Sequence, residues 1–308
     1  MGIKLSTFVV FMFVAVDALG GAVETIEATT KLETAWSKDV PCAVSSDGEG
    51  GCKPSRCRRK IVDGLFSDDE INRLLSISER AFALRDAEPS GGPSIFDLNT
   101  GFIRDSKGLD NVFFSRNLDL FSEEDFRIYG QIIHKLKSKV QEYLQVPKKR
   151  IDMDARTALY FTAPTFVTRL DGRNDSWEPA EIHDEYWHLH VDKNSTSHYD
   201  YSGLLYLSTQ DVDFTGGRLR FFARDEVTVE EVVEPRRGRA LFFTSGPENP
   251  HGVDRVLTGT RFVLSFWFTC DPRREFQIFL DGKAHKTFGQ QYVAKFQQQH
   301  SRSRSGEL

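Results

Sequence analysis

The sequence predicts a mainly β domain with flanking helices (α+β): a double-stranded β-helix of the jelly-roll or cupin type, with N-terminal helices packed on one sheet. Three observations carry this. Two serine-capped segments with helical apolar spacing lie before residue 147. After Pro147 the period changes to short runs rich in β-branched and aromatic residues, separated by Asp, Gly and Pro clusters. There is no internal repeat and no glycine-rich phosphate loop between a strand and a helix. The chain has 308 residues, 39% of them hydrophobic and 25 of them phenylalanine, enough for one large core.

In chain order, residues 1–22 read as a signal peptide or short N-terminal anchor. Lys4 supplies the positive region, Thr7 to Val16 the apolar run, and Ala18-Leu19-Gly20 the small residues of a cleavage site. Asp17 ends the run well short of the ~20 apolar residues a spanning helix needs. Met1-Gly2 with Ser6 also fits an N-myristoylation pattern, so membrane association, if any, is expected only through the N-terminus. The export reading places the chain in the secretory pathway: lumenal, membrane-anchored or secreted.

Residues 23–60 read as a polar, cysteine-containing linker. In an oxidising lumen its Cys42, Cys52 and Cys57, with Cys270, supply two disulfides. Three pairings are open, and Pro54 between Cys52 and Cys57 suits a tight local loop. The sequons at Asn174 and Asn194 are glycan acceptors if the chain enters that pathway.

The main domain is expected over 61–275, helical over 61–146 and a β-barrel core over 150–270. Ser67-Asp68-Asp69-Glu70 is a capping box, followed by a stripe of Ile71, Leu74, Leu75, Ser78 and Phe82. Glu88 to Gly101 reads as a loop. A second capped helix starts at Ser122 and buries Phe126, Tyr129, Ile133, Leu136, Val140 and Tyr143. Strands are expected at 158–162, 165–170, 204–208, 218–222, 227–233, 240–244 and 261–269. The tail, 276–308, is basic, rich in Gln and Ser, and reads as solvated. With a net charge of −5 the chain has no global field for nucleic acid, and no nucleic-acid partner is expected.

The chemistry concentrates in His190-Val191-Asp192 and His251. Two imidazoles and one carboxylate hold one face of an Fe(II) ion and leave the others open. Residues i and i+2 of an extended segment point the same way, so His190 and Asp192 reach one ion. His188 shares their parity and reads as pocket lining, whereas His183 and His198 read as loop histidines. On the 261–269 strand, Arg261, Val263, Ser265 and Trp267 share one face; Phe262, Leu264, Phe266 and Phe268 share the other and pack against helices or a second sheet. An inward arginine needs an anion, either an internal carboxylate or a ligand.

These pieces resemble the Fe(II)- and 2-oxoglutarate-dependent dioxygenases of the prolyl-4-hydroxylase type. The resemblance runs from about Ile61 to Cys270. It rests on His190-Val191-Asp192, Ser202–Ser208, Gly216–Phe222, Glu234–Gly238, His251-Gly252-Val253, Arg261 and Trp267. Pro164-Thr165-Phe166, Asp184–Lys193 and Phe242–Gly246 resemble more closely the 2-oxoglutarate and iron-dependent oxygenase domain-containing protein 3 group, whose members are described as membrane-anchored. The resemblance implies that His190, Asp192 and His251 hold iron. Arg261 and Tyr206 would bind the distal carboxylate of 2-oxoglutarate, and Tyr186, His188 and Trp267 would line the pocket. It implies Fe(II), 2-oxoglutarate and O2 as cofactors, ascorbate as reductant, and hydroxylation of a C–H bond in a protein or peptide substrate, such as proline or lysine. Two rivals stand beside it: a catalytically silent cupin-like metal-binding module, and a dioxygenase acting on a glycan or small molecule.

Overall fold

Both helices start where a serine side chain accepts the N3 amide and the N3 carboxylate returns the bond. In a computed structural model, Ser67 and Glu70 cap α1 (Asp68–Ala83), and Ser122 and Asp125 cap α2 (Glu123–Tyr143). The structure describes residues 15–16, 22–43, 52, 54, 56–85, 92–112, 120–146, 159–162, 164–172, 179 and 185–275. Most of the expected export segment, Asn174, His183 and the 276–308 tail lie outside the described residues.

The strands are β1 (Ala15–Val16), β2 (Ala22–Ile26), β3 (Trp36–Val40), β4 (Cys57–Val62), β5 (Ser94–Phe96), β6 (Phe102–Asp105), β7 (Gly108–Asn111), β8 (Tyr160–Phe161), β9 (Phe166–Asp171), β10 (Tyr201–Tyr206), β11 (Phe214–Gly216), β12 (Leu219–Phe222), β13 (Val229–Val233), β14 (Ala240–Thr244), β15 (His251–Val253) and β16 (Val256–Thr269). A short helical turn, α3 (Asp192–Ser195), precedes β10. The major sheet runs β3-β4-β14-β10-β16-β9-β5-β6-β7, and the minor sheet β1-β2-β13-β12-β15. This is the expected double sheet with helices on one side.

Parity on β16 decides which residues meet which layer. Phe262, Leu264, Phe266 and Phe268 pack with Leu74, Ile77, Phe126 and Leu136 in a core between the helices and the major sheet. Val263 joins Tyr206, Leu219, Phe221, Val233, Leu241 and Phe243 in a second core between the sheets. Gly203 is required on β10, because a Cβ there would lie 2.1 Å from the Phe266 ring.

Two expectations change. The 23–60 segment supplies β2, β3 and β4, with β4 hydrogen-bonded to β14 and β2 running parallel to β13. These strands read as polar because their charged side chains are paired inside: Arg59 with Glu231, while β4 is followed by Asp63, which takes Arg239. Likewise, part of the expected 88–101 loop forms β5, which extends the major sheet beyond β9.

The disulfides are Cys42–Cys57 and Cys52–Cys270, not the local Cys52–Cys57 loop. β3 and β4 pair Val40 with Cys57, which brings Cys42 to Cys57 and leaves Cys52 for the end of β16. The two bridges span 15 and 218 residues. Restricting the unfolded chain over those spans is worth roughly 3 and 5 kcal/mol in the chain-entropy treatment. The double variant Cys52→Ser/Cys270→Ser is therefore expected to lose more stability in denaturant titration than Cys42→Ser/Cys57→Ser; the reverse order would show that the long bridge constrains little.

Candidate functional site

His190 and His251 are joined backbone to backbone. Each amide donates to the other's carbonyl at 2.9 Å, an isolated bridge at the start of β15. This bridge places the rings 4.3 Å apart. Asp192 reaches them differently from the expected alternation: only Val191 is extended between the pair, and Asp192 opens the α3 turn. Its Oδ1 lies 3.7 Å from His190 Nε2 and its Oδ2 3.8 Å from His251 Nε2. One donor atom from each residue falls within 4.8 Å of the others.

The backbone sets the imidazole tautomers. His190 Nδ1 lies 3.1 Å from the His188 carbonyl, and His251 Nδ1 3.0 Å from the Asn249 carbonyl. A carbonyl only accepts, so each Nδ1 carries the proton and each Nε2 lone pair faces Asp192. Burial, and then the neighbouring His251, push the His190 pKa down, which favours the neutral ring a metal requires. Phe221 and Phe243 pack around the His251 ring.

Supports that the sequence reading missed surround this group. Ser202 donates to Asp192 Oδ2 at 2.6 Å and touches Ser245 at 2.6 Å. Asn249, whose carbonyl holds His251, accepts at Oδ1 from Arg59 Nε at 2.7 Å and donates to Thr244. A serine in a strand, a second serine just past another strand and an asparagine closing a turn carry no spacing signal. Only β4, which was not expected, would have pointed to Arg59.

Deeper between the sheets sit Arg261 and Tyr206, both buried. The Arg261 guanidinium lies over the Tyr206 ring, 5.3 Å from its centroid, rather than bonding its hydroxyl. Among the described residues Arg261 Nε and Nη2 and the Tyr206 hydroxyl make no hydrogen bond, and no carboxylate pairs with Arg261. The described residues thus supply no internal ion pair to explain this arginine. Burial pushes the Tyr206 phenol up, so it is a neutral donor. Burial lowers the Arg261 pKa, yet guanidinium keeps its charge. Space beside Arg261 depends on Gly217: it has φ +65°, and a Cβ there would lie 2.9 Å from Arg261 Cδ.

The remaining expected residues divide. His188 lies beside His190, ring centroids 5.1 Å apart and tilted by 47°. Trp267 pairs with Ser202 across β10 and β16 and is stacked on Tyr199 at 5.0 Å, its indole N–H without a partner among the described residues. Tyr186 is committed to the wall, where its hydroxyl accepts from the Val256 amide. Asn194 is exposed on α3, two residues past Asp192. The four cysteines are structural, and none is free.

Two nitrogen donors, a carboxylate and an unpaired cationic and phenolic pair thus share one interior. The first set suits a divalent metal with open positions, and the second a carboxylate.

Comparison with known proteins agrees with this geometry. A family model described as the 2OG-Fe(II) oxygenase superfamily matches residues 179–269. The chain is 38% identical over 240 residues to 2-oxoglutarate and iron-dependent oxygenase domain-containing protein 3 of Mus musculus, covering 76% of this chain and 71% of that one. The Xenopus tropicalis protein of the same name is 36% identical over 241 residues, covering 76% and 70%. Prolyl 3-hydroxylase 1 of Mus musculus is 31% identical over 235 residues, covering 70% of this chain and 29% of that one.

Proposed function

The chain belongs to the 2OG-Fe(II) oxygenase superfamily, and from that premise we propose that His190, Asp192 and His251 hold Fe(II) while Arg261 and Tyr206 receive the distal carboxylate of 2-oxoglutarate. The enzyme is an Fe(II)- and 2-oxoglutarate-dependent hydroxylase. The observation that carries the residue assignment is the buried Arg261, which has no carboxylate partner among the described residues and lies over Tyr206 in the inter-sheet core whose Phe221 and Phe243 pack on His251.

When bound, iron with 2-oxoglutarate and O2 supplies the oxidising power: the co-substrate becomes succinate and CO2, and one oxygen atom enters a substrate C–H bond. The protein's own work is positioning. His188 and Asn249 carbonyls fix the proton on each Nδ1. Arg261 and the Tyr206 hydroxyl donate to one carboxylate in a site closed to water, where such bonds are strong. Phe221, Phe243 and Leu241 form the dry wall behind them.

We assign the substrate to a protein or peptide side chain such as proline or lysine. The support is the name of the relative, prolyl 3-hydroxylase 1, together with the Trp267–Tyr199 stack beside Ser202. Succinate release from 2-oxoglutarate with Fe(II) and ascorbate tests the reaction. The Asp192→Ala control is expected to fall at least about 100-fold, since even losing a group that only orients a metal ligand costs 10–100-fold. Equal turnover in both would favour the silent metal-binding module. Mass spectrometry of trapped products separates peptide from sugar substrates; oxygen added to sugars alone removes the peptide assignment.

The secretory assignment is supported by the two disulfides and by the apolar segment at Thr7 to Val16. Among the described residues no helix is long and apolar enough to cross a membrane. In a secretory host, a glycan on Asn194 would stand at the site's rim, and the active enzyme is expected to carry none there. Intact mass before and after glycosidase reads this directly; a fully occupied Asn194 in fully active enzyme would remove the crowding argument.

A further inference from the structure

We infer that Ser202, oriented by Ser245, is a positioning residue that makes Asp192 a one-oxygen metal ligand; the inference rests on the metal assignment above. Ser202 Oγ has one proton, and at 2.6 Å from Asp192 Oδ2 it gives that proton to a group that only accepts. The 2.6 Å contact between Ser202 and Ser245 then has one direction: Ser245 donates and Ser202 accepts. The result is a directed relay from Ser245 through Ser202 to Asp192 Oδ2. A hydrogen bond to a carboxylate is short and about twice as strong as a neutral one, and each hydroxyl in the chain polarises the next.

Both serines are held by the fold. Ser202 sits on β10 between Phe243 and Trp267, on the inward face that also carries Leu204 and Tyr206. Ser245 follows β14; its amide donates to the Asp200 carbonyl and its carbonyl accepts from the Lys193 amide. Lys193 is the residue after Asp192, so the relay closes on the segment it orients. Asp200 is fixed in turn by the Cys52 and Cys270 amides, the Thr269 hydroxyl and the Lys193 ammonium. Ser202 is 2% exposed and Ser245 1%, so water does not substitute for either.

The consequence is a count of positions. An octahedral ion taking two imidazoles and one carboxylate oxygen keeps three positions open. A carboxylate binding through both oxygens closes one of them and leaves too few for a chelating co-substrate and O2. With Oδ2 sharing its charge with the Ser202 hydroxyl, Oδ1, 3.7 Å from His190 Nε2, is left as the stronger metal donor of the two.

The test is anaerobic titration of Fe(II), and of Co(II) as a spectroscopic probe, into wild type, Ser202→Ala, Ser202→Thr and Ser245→Ala. Ser202→Ala is expected to raise the metal Kd about ten-fold and to change the Co(II) visible spectrum, which reports coordination number. Ser202→Thr, which keeps the hydroxyl, is expected to restore both. Ser245→Ala, which leaves the direct bond in place, is expected to give a smaller change in the same direction. Circular dichroism of the metal-free proteins confirms that each variant is folded. Should Ser202→Ala misfold, Ser245→Ala and Ser202→Thr carry the comparison. A wild-type Kd and wild-type spectrum in folded Ser202→Ala, or in Ser245→Ala if that is the variant that folds, overturns the inference. A wild type that binds neither metal instead overturns the metal assignment itself.

Discussion

Arg261→Leu is expected to raise the KM for 2-oxoglutarate by roughly 10²–10⁴-fold and, in the metal-free protein, to raise the melting temperature. Removing one partner of a buried charge pair costs about 3–5 kcal/mol, which sets the first effect. The second follows because Arg261 Nε and Nη2 have no partner among the described residues. Leucine replaces a buried unsatisfied cation with apolar surface, a change worth about 1–4 kcal/mol in favour of folding. The two signs together separate a ligand-binding arginine from a structural one, which would lose stability on the same substitution. Lysine is not an equivalent: it offers a point charge in place of a planar fork, so Arg261→Lys is expected to lie between wild type and leucine. Saturating 2-oxoglutarate stabilises a protein by about 2.7 kcal/mol at a hundred times Kd, and Arg261→Leu is expected to forfeit that thermal shift. Steady-state kinetics and differential scanning calorimetry read both numbers. A KM near wild type, or a lowered melting temperature, would remove Arg261 from the co-substrate site.

What the sequence made legible were features with local grammar. Capping boxes at Ser67 and Ser122 announced both helices, because an orphan amide at a helix start needs a side-chain oxygen nearby in sequence. Alternation on β16 announced both cores, because side chains on a strand have only two directions. The grouping of His190, Asp192 and His251 was readable from the residue types themselves, because two imidazoles and a carboxylate suit one metal ion. Illegible were the contacts made between distant polar residues. Arg59 looks like one of several charges in a linker, yet it lies between the sheets against Glu231 and the Phe221 ring. Cys52 looks like a partner for nearby Cys57, yet β3 takes Cys57 away from it. Ser202 and Ser245 have no pattern at all; only strand pairing brings them to Asp192.

Arg59 supports the second large expectation, because it serves stability and the site through different atoms. Its Nη1 pairs with Glu231 and with the half-buried Glu230, its Nη2 reaches the Glu248 carbonyl, and its Nε holds the side chain of Asn249, whose backbone carbonyl fixes His251. Arg59→Ala is expected to destabilise the protein by about 3 kcal/mol, the low end for breaking a buried pair. Lys38, which also pairs with Glu231, keeps the loss from being larger. The metal Kd is expected to rise about ten-fold, since an oriented ligand has lost its support. The double variant Arg59→Met/Glu231→Leu separates the two. Replacing both charges with apolar groups of similar size is often neutral for folding, so stability should return. Asn249 still lacks its donor, so metal affinity should stay low. Chemical denaturation and metal titration on the same three proteins read this. If affinity recovers with stability, His251 depends on the fold as a whole, and the link from β4 through Asn249 to His251 carries no weight of its own.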